Sequence, residues 1–517
     1  MKKFPKEICL RPADFVSIHS IFFQYPYSRK TPVSSIETLS PKPVWSIFKQ
    51  ICDIPHPSKH ELKLRDHLRS LCDAKGLETL IDPIGNLIIR KPATDGMQDR
   101  KCVAMQGHVD MVPQKNADSD HDFVNDPITT YVDGEWLKAK GTTLGSDNGV
   151  GVAAGLAVML SDDIPHGPLE LLCTIEEETS MKGAFGLEAG YLNAEILLNL
   201  DTEDEGELYV GCAGGADITA TIQLEQESTP ESHLGFEIAV RGLLGGHSGL
   251  DIELGRANAN QVVNRFLMTY AEKLDIRVAS FNGGTLRNAI PRESFTLVTL
   301  DGSNKEAFEH AINDFTELMI AEYGKTENNL SIKISEVELP AKVLSKKLQH
   351  KIQLAVASCI SAPLRMSDQF EGIVETSNNL AIVKSYDDRI EIVSLTRSLV
   401  NSARDFTCQL IAGTFEMIGA TTEISGAYPG WKPDPDSAIL QTMSDGYKAL
   451  YGKTPAIKVI HAGLECGLLG EPYPDMDMIS FGPTIRGAHS PDERCHIPSV
   501  QKFWDYLLYS LKNIPEK

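Results

Sequence analysis

Four short apolar runs in this chain each stop on a side chain able to bind a metal ion. Val103-Ala-Met-Gln-Gly runs into His108 and Asp110, and Leu169 to Ile175 runs into Glu176, Glu177 and Glu178. Ile196-Leu-Leu-Asn-Leu200 runs into Asp201, and Met478-Ile-Ser-Phe481 precedes a turn carrying His489. Runs of this length read as strands buried on both faces. In open α/β sheets, sites form beyond the carboxyl ends of the strands. Four such strand ends in one chain restrict it to a layered α/β fold with one site along one edge of a sheet.

The surrounding segments agree. Pro43 to Cys52 and His60 to Lys75 carry helical patterns, Gly85 to Ile89 reads as a strand, and Asn148 to Leu160 as an Ala- and Gly-rich, closely packed helix. After Gly211-Cys-Ala-Gly-Gly215 the composition shifts to alternating strands, such as Phe236 to Val240 and Glu391 to Leu395, and long helices, such as Arg256 to Leu274. Helix and strand alternate again after Tyr428-Pro-Gly-Trp431. The reading is an α/β catalytic domain with a mixed sheet flanked by helices, in two segments (41–213 and 425–517), interrupted by an inserted α+β domain (214–424). Residues 1–40 are expected to be a poorly ordered extension.

A net charge of −22, spread along the chain, repels phosphate backbones and argues against nucleic acid as a partner. The longest near-apolar run, Gly149 to Leu160, is 12 residues, short of the roughly 20 that a bilayer requires. Ten scattered cysteines without a CxxC pair fit a reducing compartment, so a cytoplasmic location is expected.

Asp147, in Gly145-Ser-Asp-Asn-Gly149, has two readings. Alone it is a helix N-cap; beside His108 and Asp201 it is a carboxylate suited to bridge two ions. Asp110 lies two residues after His108, on the same side of an extended chain, and can fix the imidazole tautomer. Of the consecutive glutamates, one can hold an ion while another takes a proton from water. Oxygen ligands with two histidines and no thiolate point to Zn²⁺, with Mn²⁺ or Co²⁺ as substitutes.

His108-Val-Asp110, Gly145-Ser-Asp147-Asn-Gly149, Glu177-Glu178, Asn199-Leu-Asp201-Thr-Glu203 and Ala488-His489-Ser-Pro-Asp492-Glu493 resemble the metal-site signatures of the dinuclear-zinc metallopeptidases related to aminoacylase and carboxypeptidase G. Ile54-Pro-His-Pro57, Gly283 to Pro291, Tyr428 to Trp431 and His461-Ala-Gly-Leu-Glu-Cys-Gly467 resemble, within that family, its bacterial Xaa-His dipeptidases. The resemblance runs from about residue 40 to 517. It implies two Zn²⁺ per subunit: His108 and Asp201 on one, Glu178 and His489 on the other, Asp147 between them. It makes Glu177 the general base and Asp110 the residue that orients His108. The base falls at Glu177 because Gly183-Ala-Phe-Gly-Leu187 then aligns without a gap; Thr179-Ser180 departs from the family's usual small residue and glycine.

The resemblance further implies that the inserted domain is a lid that builds a homodimer. His247, in Gly245-Gly-His-Ser-Gly249, would polarise the scissile carbonyl, and Asn288 and Arg397 would contact the substrate carboxylate. His461 and Glu465 would border the pocket, without an assigned role. The implied activity is hydrolysis of small peptides, chiefly dipeptides and including carnosine-type Xaa-His. An N-acyl amino-acid deacylase, a tripeptidase on the same scaffold, or a silent binding homologue are the alternatives.

Overall fold

The computed structural model describes residues 35–517. Most of the expected extension, residues 1–34, therefore lies outside the described residues; Ser35 to Ser40 carry a 3-10 turn, Ile36–Thr38, with Ile36 buried.

The first sheet has eight strands in the order Glu78–Ile81, Leu87–Lys91, Leu169–Thr174, Val103–His108, Ile196–Asn199, Asp477–Ser480, Glu207–Cys212 and Ala456–Ile460. Its four central strands, 169–174 to 477–480, run parallel, and antiparallel pairs on both sides make it mixed. The apolar runs are continuous because both faces are covered. Leu87, Ile89, Val103, Met105, Leu171, Ile196 and Leu198 point into one core, shared with Trp45, Phe48 and the helices 146–160 and 497–512. The alternate residues Ile88, Ala104, Leu172 and Leu197 point into a smaller core with Leu187, Trp431 and Leu468.

Helix Ser146–Leu160 packs closely enough that glycine is required. A Cβ on Gly151 would lie 2.5 Å from the Leu200 carbonyl oxygen, and one on Gly149 would lie 2.9 Å from the Phe48 ring. The Ala- and Gly-rich composition is thus the condition for bringing this helix down onto the strands that carry Asp201 and His108.

The second sheet is antiparallel. Its main path runs through strands 331–337, 233–241, 294–301, 277–283, 374–385, 389–398, 214–223 and 421–428, with a ninth strand, 362–366, paired to 374–385. The helices Ala259–Tyr270, Lys305–Tyr323, Lys346–Ser358 and Asn401–Glu416 share a core with it. The expected helix from Arg256 to Leu274 is shorter, at Ala259–Tyr270. The Asn258 side chain accepts from the N–H groups of Asn260 and Gln261 and starts the helix there, an N-cap overlooked inside Arg-Ala-Asn-Ala-Asn.

The chain crosses between the sheets at the two motifs singled out by composition. Cys212 and Trp431 exchange backbone hydrogen bonds of 2.9 Å. A Cβ on Gly214 would lie 2.4 Å from the Tyr428 carbonyl oxygen, so the two crossings can touch only with glycine there. Among the described residues no helix is long and apolar enough to cross a membrane.

Candidate metal centre

Three neighbouring parallel strands end together: His108 pairs with Thr174, and Gln106 with Asn199. Their next residues reach the same edge. His108 Nε2 lies 3.2 Å from Asp147 Oδ1 and 3.4 Å from Asp201 Oδ1. His489 Nε2 lies 3.3 Å from Asp147 Oδ2 and 2.9 Å from Glu178 Oε2. Asp147 therefore stands between the two histidines, one oxygen toward each. It does not cap its helix: the N-cap is Gly145, and Asp147 keeps a non-helical backbone at φ −83°, ψ 110°. Ligand atoms of His108, Asp147 and Glu178 all lie within 4.8 Å of one another.

This arrangement needs a cation. His108 Nδ1 lies 3.0 Å from the Asp110 carbonyl oxygen and 3.5 Å from its carboxylate, so Nδ1 carries a proton and the Nε2 lone pair faces two carboxylates. Asp201 Oδ1 is buried and takes no hydrogen bond. Acceptors facing acceptors are stable only with a proton or a metal ion between them. In the metal-free chain, burial works to lower the His108 pKa, but Asp201, Asp110 and Asp147 overcome it and hold it well above its ordinary value. Hydrogen bonds to Asp147 and Glu178 raise His489 to about 11. Burial lifts Asp201 to about 6. Carboxylates and imidazoles without thiolate suit Zn²⁺ and harder divalent ions.

The Asp110 carboxylate has a further task. Its Oδ1 accepts from the Glu177 N–H at 2.9 Å, and its Oδ2 accepts from Ser58 Oγ at 2.7 Å and from the Glu178 N–H at 3.3 Å. It thereby fixes the loop carrying both glutamates. Glu176 turns aside to accept from Lys182 Nζ at 2.7 Å, on a left-handed backbone at φ 50°. Glu177 is held in the cavity, where burial drives its carboxyl well above the usual range.

Two supporting glutamates were named in the sequence reading without a role. Glu493 is 2% exposed, and its carboxylate accepts from the N–H groups of Leu144, Gly145 and Ser146 at 2.7–3.0 Å and from Ser146 Oγ at 2.6 Å. It shapes the turn that presents Asp147. Glu493→Gln turns an amide toward those donors; we expect a loss of about 1–3 kcal/mol in stability and roughly 10–100-fold weaker metal binding, measured by thermal unfolding and metal titration. Glu465, also buried, accepts from Gln106 Nε2 at 2.5 Å and Thr174 Oγ1 at 2.7 Å, clamping the ends of two ligand-bearing strands. Burial raises it to about 7. Glutamates inside Ser-Pro-Asp-Glu and Gly-Leu-Glu-Cys carry no local sign of these partners.

The cavity beside the cluster measures about 600 Å³ and reaches the second sheet's loops at Gly249 and Leu250. His461 lines it, its Nε2 2.8 Å from Ser377 Oγ, and burial lowers its pKa to about 3. His247 and Arg397 meet at the second sheet. His247 Nδ1 accepts from the N–H groups of Gly249 and Leu250, which places its proton on Nε2. That Nε2 faces Arg397 Nη2 at 3.4 Å, donor toward donor. Burial, with Arg397 adding to it, lowers His247 to about 4. Arg397 is 4% exposed and bonds Ser248 Oγ and the Tyr428 hydroxyl, with no carboxylate partner among the described residues. Asn288 is not brought to the cavity: its backbone carbonyl accepts from the Ser248 N–H, and its side chain is exposed.

Residues 104–513 match the peptidase family M20/M25/M40, and the chain belongs to that family. It is 46% identical to the cytosol non-specific dipeptidase of Escherichia coli (strain K12), over 94% of this chain and 100% of that protein. The crystal structure of aminoacylhistidine dipeptidase from Vibrio alginolyticus matches it at a TM-score of 0.88 and 50% identity, covering 94% of this chain and 99% of that one. The aminopeptidase PepT structure from Bacillus cereus, at a TM-score of 0.54 and 15% identity over 92% and 99% of the two chains, shares the fold.

Proposed function

We propose that this chain is a metal-dependent dipeptidase acting on small peptides, Xaa-His dipeptides among them. The observation that carries this reading is the cluster in which Asp147 faces His108 with one oxygen and His489 with the other. The two dipeptidase relatives, aligned over nearly the whole chain, support the substrate class.

Two Zn²⁺, held by His108 and Asp201 on one side, by Glu178 and His489 on the other and by Asp147 between them, would lower the pKa of water and polarise the peptide carbonyl. Glu177 takes the proton of the attacking water and returns it to the departing amine. Asp110 keeps Glu177 in place through its N–H and fixes the rim of the His108 ring. His247, with its proton on Nε2, donates to the oxygen that gains charge at the carbonyl. Arg397 binds the carboxylate terminus, because two donors that face each other without an acceptor are satisfied by an anion between them. His461 lines the cavity that takes the substrate. Asn288, exposed in this chain, contributes once a second copy or a lid movement brings it to substrate.

Arg397→Met removes the charge that holds the substrate carboxylate. We expect KM for a dipeptide to rise by about 30-fold or more, with a smaller change in kcat, read from steady-state kinetics. An unchanged KM places the carboxylate elsewhere.

The second sheet also supports a homodimer. Phe406, Leu410 and Met417 lie along one face of helix Asn401–Glu416 and its end, exposed at 67%, 46% and 81%, beside Ile424 on the edge strand Thr421–Tyr428. An exposed apolar helix face beside an unpaired edge is covered well by a second copy. Particle mass in solution, twice the chain's 56.7 kDa, decides it. The cytosolic relative and the unpaired cysteines support a cytoplasmic location.

A further inference from the structure

Four acidic side chains follow Asp201 closely: Glu203, Asp204, Glu205 and Glu207. Three are committed to partners. Asp204 pairs with Arg486, Glu205 accepts from the Tyr447 hydroxyl at 2.5 Å and from Lys502 at 3.1 Å, and Glu207 accepts from the Tyr209 hydroxyl at 3.1 Å with Lys458 at 3.7 Å. Glu203 differs. Its backbone is tied down, with its carbonyl accepting from the Ile485 N–H at 3.1 Å and from Arg486 Nη1 at 2.8 Å. Its carboxylate takes neither a hydrogen bond nor an ion pair among the described residues, and it lines the cavity with Asp201 and Glu177. Thr202 between them is turned inward to Ser480 Oγ at 2.6 Å, so Asp201 and Glu203 share the cavity side, as alternate residues of an extended segment do.

A part-buried carboxylate on a fixed backbone, left without a partner beside a reaction centre, calls for a cation from outside the protein. The donors Arg397 and His247 do not line this cavity; they meet at the second sheet, where the neighbouring Gly249 and Leu250 reach it. The cavity thus offers an unpartnered carboxylate beside the metal cluster, a match for the ammonium end of a peptide held there. We propose that Glu203 binds the free α-ammonium group of the substrate and so selects peptides with an unblocked N-terminus over N-acyl compounds. This rests on the dipeptidase reading and gives it a specificity determinant. An α-amino group with a pKa of about 7.7–8.0 is largely charged at pH 7, whereas an acylated one never is.

The test is equilibrium binding of Ala-His and N-acetyl-Ala-His to the zinc-loaded protein, made non-hydrolysing by Glu177→Gln. The geometry predicts that the free-amine peptide binds roughly 10-fold or more tightly than the acetylated one. Adding Glu203→Gln collapses that preference to below about threefold with the N-acetyl affinity unchanged, and Glu203→Asp keeps an intermediate preference. An unaltered preference in Glu203→Gln overturns the proposal. So does an equal weakening of both peptides with loss of bound zinc, which makes Glu203 part of the metal site. Wild-type protein that fails to hydrolyse Ala-His contradicts the dipeptidase reading separately, and the binding comparison still decides the anchor.

Discussion

Glu177→Gln is expected to lower kcat by about 10²–10⁴-fold while KM and metal content stay near wild type. The reason is positional. Glu177 lies in the cavity beside the cluster but faces neither His108 nor His489, so its loss leaves the metal-binding groups intact. Burial, with Asp201, Glu465 and Glu178 adding to it against His108, holds its carboxyl well above the usual range, which suits a group that must both accept and return a proton. The neutral amide of glutamine fills the same volume and can do neither. Steady-state kinetics with metal analysis on the same sample check this. Near-normal turnover with both metals bound removes Glu177 from the role of base and turns attention to Glu176, whose carboxylate is engaged by Lys182.

Asp147→Ala is expected to produce a loss at least as large by another route: bound metal falls well below two per chain, and kcat/KM drops by about 10³-fold or more. Asp147 gives one oxygen to each side of the cluster, so no other single residue serves both sites. Stability separates this effect from simple damage. Wild-type protein gains about 2.7 kcal/mol per site at a hundredfold excess of metal over Kd, and the variant forfeits most of that gain. Without metal the variant loses stability as well, because Asp147, against the cost of burial, is held ionised and below its ordinary pKa by hydrogen bonds from His108 and His489. Thermal unfolding with chelator and with zinc should therefore show the variant less stable in both, with the larger deficit in zinc. A deficit of the same size in both conditions makes Asp147 a structural residue.

The elements that position this site were legible because their burial is two-sided. Leu169–Thr174 and Ile196–Asn199 are buried at every position, and a strand covered on both faces has no polar alternation to blur it. His108, Glu177, Glu178 and Asp201 were legible because each follows such a run closely, whereas Asp147 and His489 stand in turns and were legible only through the motifs around them. Long-range partnerships were not. Nothing near Glu493 in sequence indicates that it gathers N–H groups from Leu144 to Ser146, nor does anything near Arg397 point to His247. Such pairings exist only once distant segments have been folded together, and those of Glu493 are carried by backbone donors that a sequence does not display. The start of helix Ala259–Tyr270 was misjudged for a local reason: Asn258, flanked by alanines, ends the extended segment by capping.

The central claim, a metal-dependent dipeptidase, is tested most directly by a hydrolysis panel on the zinc-loaded protein, with and without chelator. The panel contains Gly-His, β-Ala-His, Ala-Leu, a tripeptide and N-acetyl amino acids. The account predicts chelator-sensitive cleavage of the dipeptides, Gly-His included, with the tripeptide and acetylated compounds left intact. Cleavage confined to the acetylated compounds or the tripeptide, or no turnover with two metals bound, would contradict it.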